Sequence, residues 1–217
     1  MSAIIFDLDG VLLDSEGLQY QAYVRVLRDL GVTITPEEYG QHWIAAGQGP
    51  EYAVRRYRLP VDAPGLRALK HPVYHEILRQ HAALMPGARE ALTRLKVRFP
   101  LGVATNSNRA DVDYVLDHFG LRRSFASIIT REDYVLPKPN PDAFLAAAAG
   151  LHTAPHACLV VEDAHKGIVA ARRAGAVPVA VPNAYTRGND FSLAAAVLDS
   201  LDELTVALSE RLLPGGA

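Results

Sequence analysis

The stretch Asp7-Leu8-Asp9-Gly10 constrains this chain more than any other. The apolar run Ala3-Ile4-Ile5-Phe6 precedes it and reads as a short buried strand. Side chains alternate along extended backbone, so Asp7 and Asp9 can face the same way. Gly10 lets the chain turn sharply just after them. Two carboxylates forced together at a strand end repel each other unless positive charge lies between them. Asp and Gly also build ordinary solvated turns. What decides between the two is whether the rest of the chain supplies partners for the pair.

Length and composition set the bounds. The chain has 217 residues, 49% of them hydrophobic, enough for one large domain or one domain with an insertion. The net charge of −2 offers no basic field for nucleic acid. The single cysteine, Cys158, cannot form an internal disulfide; it sits in an apolar run and reads as a core residue in a reducing compartment. No basic segment leads into an apolar run at the N-terminus, and no run approaches the roughly 18 residues of a membrane span. The expectation is a cytoplasmic, soluble monomer with no nucleic-acid or membrane partner.

From Glu16 to Leu84 the periodicity is helical. Leu18, Ala22, Val26 and Leu30 mark the first helix, and Thr35-Pro36-Glu37-Glu38 looks like a second start. A long helix is expected over Leu66–Leu84, with Pro72 bending or interrupting it. After Met85-Pro86-Gly87 short apolar runs alternate with helices. Strands are expected at 101–104, 125–129, 158–161 and 177–181, with a final helix over 201–212 and fraying from Pro214 to Ala217. Such alternation implies a parallel sheet covered on both faces. The fold expected is a Rossmann-like three-layer α/β core of residues 1–14 and 86–217. An all-helical cap of residues 15–85 is inserted in it, with hinges at the two crossings.

Open α/β sheets place their sites at the carboxyl ends of the strands. Asp7 and Asp9 follow the first strand, and Thr105-Asn106-Ser107 follow the second. Lys138, between Pro137 and Pro139, comes shortly after the third, and Glu162-Asp163 follow the fourth. Each piece alone is an ordinary turn or helix cap. Together they suit phosphoryl transfer. An ionised carboxylate can attack phosphorus unaided. A second acid can protonate the leaving alcohol and then activate water. Asp7, Asp9, Glu162 and Asp163 are hard oxygen ligands with no His or Cys set nearby, which points to Mg²⁺. Lys138 adds charge. Thr105 and the backbone N–H groups of Asn106 and Ser107 are placed to hold phosphate oxygens at the start of the next helix.

These motifs, in this order, resemble the haloacid dehalogenase superfamily, in the subgroup with a helical cap after the first strand, and within it the β-phosphoglucomutase-like phosphatases. Asp7 to Ser15 matches the first motif, Thr105 the second, Lys138 in Lys138-Pro139-Asn140-Pro141 the third, and Glu162-Asp163-Ala164-x-x-Gly167-Ile168 the fourth. The resemblance implies that Asp7 is the nucleophile and Asp9 the general acid/base. It also implies that Asp7, the Asp9 carbonyl and Asp163 hold Mg²⁺, with Glu162 close by or ligating. Ala164 stands where the family often has Ser. Cap candidates for substrate binding are Gln19, the Gly47-Gln48-Gly49 loop and Lys70. Lys70 matches a cap lysine of the mutases, whereas Gln19 and Pro50 stand where the mutase pattern has His and Arg. The leading expectation is a Mg²⁺-dependent phosphatase of a small phosphorylated metabolite, such as a sugar phosphate, acting through an aspartyl phosphate. The alternatives are a phosphosugar mutase and a non-catalytic binding protein on the same scaffold.

Overall fold

The computed structural model describes residues 2–213; the fraying expected at 214–217 lies outside them. The chain divides into two compact units, one of residues 1–13 and 84–217, the other Asp14–Ala83.

The first unit is built on a six-stranded parallel sheet in the order β3-β2-β1-β4-β5-β6. Its strands are β1 (Ala3–Phe6), β2 (Leu101–Ala104), β3 (Ser127–Ile129), β4 (Cys158–Glu162), β5 (Val177–Ala180) and β6 (Ala196–Val197). β1 lies between β2 and β4, with Ile4 in register with both Leu101 and Leu159. All four of its side chains are fully buried, so both faces of the sheet are covered. Ala3 and Ile5 share one core cluster with α7 (Asp142–Gly150) and α8 (His165–Arg173). The alanine run at 146–149, which reads as a good helix interior, has a packing role as well. Ala147 and Ala148 are buried and let the helix lie close to β1 and β2. Cys158 belongs to the same cluster, and burial pushes its thiol up to about 11. The remaining helices here are α5 (Ala88–Leu95), α6 (Arg109–His118) and α9 (Val206–Leu212). Leu13 and Leu84, where the chain leaves and re-enters this unit, form an antiparallel bridge.

The sequence-based boundaries need correction in places. β3 is two residues shorter at its start than expected. β4 runs one residue further and ends on Glu162. β6, with two residues, carries too little pattern to be read. The expected last helix is two pieces, a 3₁₀ turn at Leu201–Glu203 and α9, because Thr205 caps a new start with its hydroxyl on Leu208 N–H.

The second unit is helical throughout: α1 (Glu16–Asp29), α2 (Pro36–Glu38) running into a π-helical stretch at Tyr39–Ala45, α3 (Gly49–Tyr57) and α4 (Ala63–His81). Thr35 caps α2 as expected. Tyr23 and Trp43 lie in this unit's core, ring centroids 4.6 Å apart. Pro72 does not break α4. The helix starts earlier than expected, where the Asp62 carboxylate accepts from Gly65 N–H, and continues unbroken for 19 residues. Only one donor is lost at Pro72, and the buried Leu66, Tyr74, Ile77 and Leu78 hold the turns on either side. Among the described residues, no helix is long and apolar enough to cross a membrane.

Candidate active site

Strand order reverses between β1 and β4, and their carboxyl ends form the crevice where open α/β sheets bind ligands. Asp7 stands at this point. Its N–H extends the ladder by bonding to Val161 O at 2.9 Å, so the backbone fixes where its carboxylate starts. The chain then folds tightly on itself, with the Leu12 and Leu13 N–H groups both donating to Leu8 O. Gly10 closes the turn at φ +77°. A Cβ there would lie 2.4 Å from Asp163 Oδ2, so only glycine fits both the dihedral and the space.

Lys138 is the hub. Its ammonium donates to Asp7 Oδ1 at 2.5 Å, Glu162 Oε1 at 2.7 Å and Ala104 O at 2.9 Å, and lies 4.5 Å from the Phe144 ring centroid. Its three hydrogens are thus satisfied in a buried place. The peptide bond that follows, Lys138–Pro139, is cis. Glu162 uses its other oxygen to accept from the Asp163 and Ala164 N–H groups, which clamps the β4–α8 turn. A Cβ on Gly167 would fall 1.8 Å from Glu162 Oε1: the glutamate occupies the space a side chain would take on α8. Gly167→Ala should therefore push Glu162 off Lys138 and cost about 1–3 kcal/mol, the range for overpacking, read as a lower denaturation midpoint.

Charge is unbalanced here. Asp7, Glu162 and Asp163 are buried, with one carboxylate oxygen from each within 4.8 Å of the others. Lys138 is held charged by Asp7 and Glu162 against the desolvation that opposes it. The shortage of positive charge falls on Asp7. Burial pushes its carboxyl up to about 7, Lys138 holds it down, and Glu162 and Asp9 push it further up. A hard divalent cation among these oxygens would remove the deficit, and the donor set fits one.

Asp9 turns toward the loop after β2. Its Oδ2 accepts from Ser107 Oγ at 2.5 Å and Thr105 Oγ1 at 3.3 Å, while its Oδ1 is buried without a hydrogen-bond partner. Such an oxygen is costly unless another group completes it. The Ser107 N–H, expected to hold a phosphate oxygen, donates to Thr105 Oγ1 at 3.0 Å in this structure, and α6 starts at Arg109. Asn106 serves the loop itself, its Oδ1 accepting from Lys138 N–H at 3.3 Å and lying 2.7 Å from the Tyr134 hydroxyl.

Two residues escaped the sequence reading. Tyr134 buttresses the loop, its hydroxyl 3.0 Å from the Thr105 carbonyl oxygen and 2.7 Å from Asn106 Oδ1. Asn183 donates to Asp163 Oδ2 at 2.8 Å and Gly10 O at 3.4 Å. Asn183 lies just beyond β5, and the rule that found the other residues, applied to that strand end, would have reached it. Of the cap candidates, Lys70 donates to Gln19 Oε1, with its ammonium 4.4 Å from the Tyr74 ring centroid. Gly47 lies in the turn before α3, at φ +63°.

Residues 1–175 match the haloacid dehalogenase-like hydrolases, and the chain belongs to that family. It is similar to protein CbbY of Rhodobacter capsulatus, at 33% identity over 94% of this chain and 99% of that protein. It is also similar to hexitol phosphatase B of Escherichia coli K12, at 31% identity over 94% of each. Among solved structures it superimposes on a CbbY variant from Rhodobacter sphaeroides in complex with xylulose-(1,5)bisphosphate, at TM-score 0.80 and 27% identity, covering 94% of this chain and 96% of that one.

Proposed function

We propose that this chain is a Mg²⁺-dependent phosphatase of a small phosphorylated metabolite, a sugar or sugar-alcohol phosphate, working through an aspartyl phosphate on Asp7. The observation that carries the reading is the buried Asp7–Lys138–Glu162 array at the β1/β4 switch point, with a second acid two residues on. The relatives named for hexitol phosphatase activity and for a sugar bisphosphate complex support the substrate class.

Asp7 attacks phosphorus through the carboxylate oxygen not committed to Lys138, and the ester oxygen departs with a proton from Asp9. Lys138 holds Asp7 in line and adds positive charge near the phosphoryl oxygens. The Thr105 and Ser107 hydroxyls, which meet Asp9 in this structure, bind phosphate oxygens as the loop readjusts. Asp9 then takes a proton from water, which attacks the aspartyl phosphate, releases inorganic phosphate and restores Asp7. Asp7, the Asp9 carbonyl and Asp163 would hold Mg²⁺, with Glu162 beside them as the anchor of Lys138. Bound there, the ion supplies charge that offsets the phosphoryl oxygens and keeps Asp7 ionised. Residues Asp14–Ala83 act as the cap, and Gln19, Gly47 and Lys70 are its proposed substrate contacts. Pro50, in the first turn of α3, has no charge for a distal phosphate, and Gln19 has no proton to relay near neutral pH. Water should therefore outcompete a sugar hydroxyl for the intermediate.

The test is a panel of phosphate esters, including hexitol phosphates and β-glucose 1-phosphate with a trace of its bisphosphate, with and without Mg²⁺. Mg²⁺-dependent release of inorganic phosphate from sugar or sugar-alcohol esters is expected. Rapid conversion of β-glucose 1-phosphate to glucose 6-phosphate with little free phosphate would make the chain a mutase and overturn the reading.

A further inference from the structure

We infer that Asn183 is a positioning residue that sets the affinity of the acidic site for its divalent cation, an inference that rests on the proposed metal-dependent reaction. The carboxamide orientation follows from the hydrogen-bond pattern. Oδ1 accepts from Tyr185 N–H at 2.9 Å, so Nδ2 is the end that faces Asp163 Oδ2 and Gly10 O. One NH₂ group thus spans two elements that must keep their spacing: the turn carrying Asp7 and Asp9, and the turn carrying Glu162 and Asp163. The crowding at Gly10 shows how close they come. A Cβ there would lie 2.4 Å from Asp163 Oδ2 and 2.7 Å from Asn183 Nδ2.

The asparagine is itself held on its own side. Its N–H donates to the buried Thr186 Oγ1 at 3.0 Å, and its carbonyl accepts from the Thr186 and Arg187 N–H groups. Further along the same loop, Asn189 Oδ1 accepts from His165 N–H at 3.0 Å, and Asp190 O lies 2.7 Å from His165 Nδ1. The loop after β5 is therefore docked on the Glu162–His165 turn at both ends. A neutral donor suits the place: it fixes one oxygen of Asp163 without adding a cation that would compete with the metal. Partners of metal-ligating carboxylates commonly set metal affinity by roughly 10–100-fold.

The test is titration calorimetry of the substrate-free protein with Mg²⁺ alone, together with the Mg²⁺ dependence of phosphate release. Asn183→Ser is the main variant, because a serine hydroxyl can still accept from the Tyr185 N–H but cannot reach Asp163. Asn183→Ala is the second, and Asp163→Ala sets the scale for loss of a ligand. The inference expects Asn183→Ser to weaken Mg²⁺ binding about 10–100-fold and to raise the Mg²⁺ needed for half-maximal rate by a similar factor. KM for substrate at saturating Mg²⁺ should stay within about twofold. Thr186→Val, which loosens the loop but keeps the amide, should lower the melting temperature and shift Mg²⁺ affinity much less. A folded Asn183→Ser or Asn183→Ala protein that binds Mg²⁺ within twofold of wild type overturns the inference and leaves the proposed function standing. A wild-type protein that neither binds Mg²⁺ nor hydrolyses any ester with it overturns both.

Discussion

Asp7→Asn is expected to reduce Mg²⁺-dependent phosphate release by roughly 10⁴-fold or more, the scale on which loss of a nucleophile is felt, and to leave the fold intact. The amide has the shape of the carboxylate, and its oxygen can still accept from Lys138, but it cannot form an acyl phosphate. The stability change has a sign that separates this account from a purely structural role for Asp7. In the metal-free protein the Asp7 carboxyl sits at about 7, well above its usual 3.8, mainly because it is buried. A carboxyl raised in the folded state contributes stability that is present below its unfolded pKa and lost as pH rises through the folded one. The wild-type protein in chelator should thus lose this contribution between about pH 4 and pH 7, and Asp7→Asn should not. The variant's melting temperature should match or exceed that of wild type above pH 7, and Mg²⁺ should close the gap. A variant less stable than wild type at pH 8 in chelator would mean that Asp7 is held in place by more than its charge chemistry.

Lys138→Ala is expected to cost more in stability than any other single change at the site. Removing one partner of a buried ion pair typically costs about 3–5 kcal/mol, against a total of roughly 5–15 kcal/mol for a domain. Here the lysine serves Asp7 and Glu162 together and covers the Ala104 carbonyl. Phosphate release should fall by roughly 10²–10³-fold or more as the fixed charge is lost. Without the lysine, the attraction that holds Asp7 down is gone, so its carboxyl moves above about 7. The difference in stability from wild type should therefore be widest at alkaline pH, above the raised Asp7 value, and narrow as pH falls to about 7, by which point the orphaned acid has taken up a proton. Unfolding curves at several pH values in chelator give this directly. A difference that does not change with pH would assign the loss to packing against Phe144 rather than to charge.

The site was legible largely because the fold exports it to strand ends, where the chain changes from apolar runs to short polar words. Asp7, Asp9, Thr105, Lys138, Glu162 and Asp163 each follow such a run, and the structure gathers them within one unit. What could not be read was which way each polar group turns. Asp9 faces Ser107 rather than Lys138, and the Ser107 N–H is spent on Thr105. Glu162 folds into the hollow at Gly167, so the glycine of that motif is needed for a missing side chain and not for a dihedral. Spacing along a chain fixes which element carries a residue; the way Asp9 and Glu162 turn depends also on Ser107 and Lys138, 98 and 24 residues away. Pro72 failed as a break signal for a similar reason, since burial on either side outweighed one lost hydrogen bond. β6 and the split at Thr205 lay below the length at which periodicity carries information.

The central claim is that Asp7 carries the phosphoryl group. The direct measurement is to mix enzyme, Mg²⁺ and the best ester from the panel, quench in acid within the first turnover, and reduce with borohydride. An acyl phosphate is reduced to the alcohol, which converts the aspartate to homoserine, and peptide mass spectrometry reads the position. The account predicts homoserine at position 7, dependent on substrate and Mg²⁺ and absent from Asp7→Asn. Homoserine at position 9 or 163, or a burst of phosphate with position 7 unmodified, would contradict it.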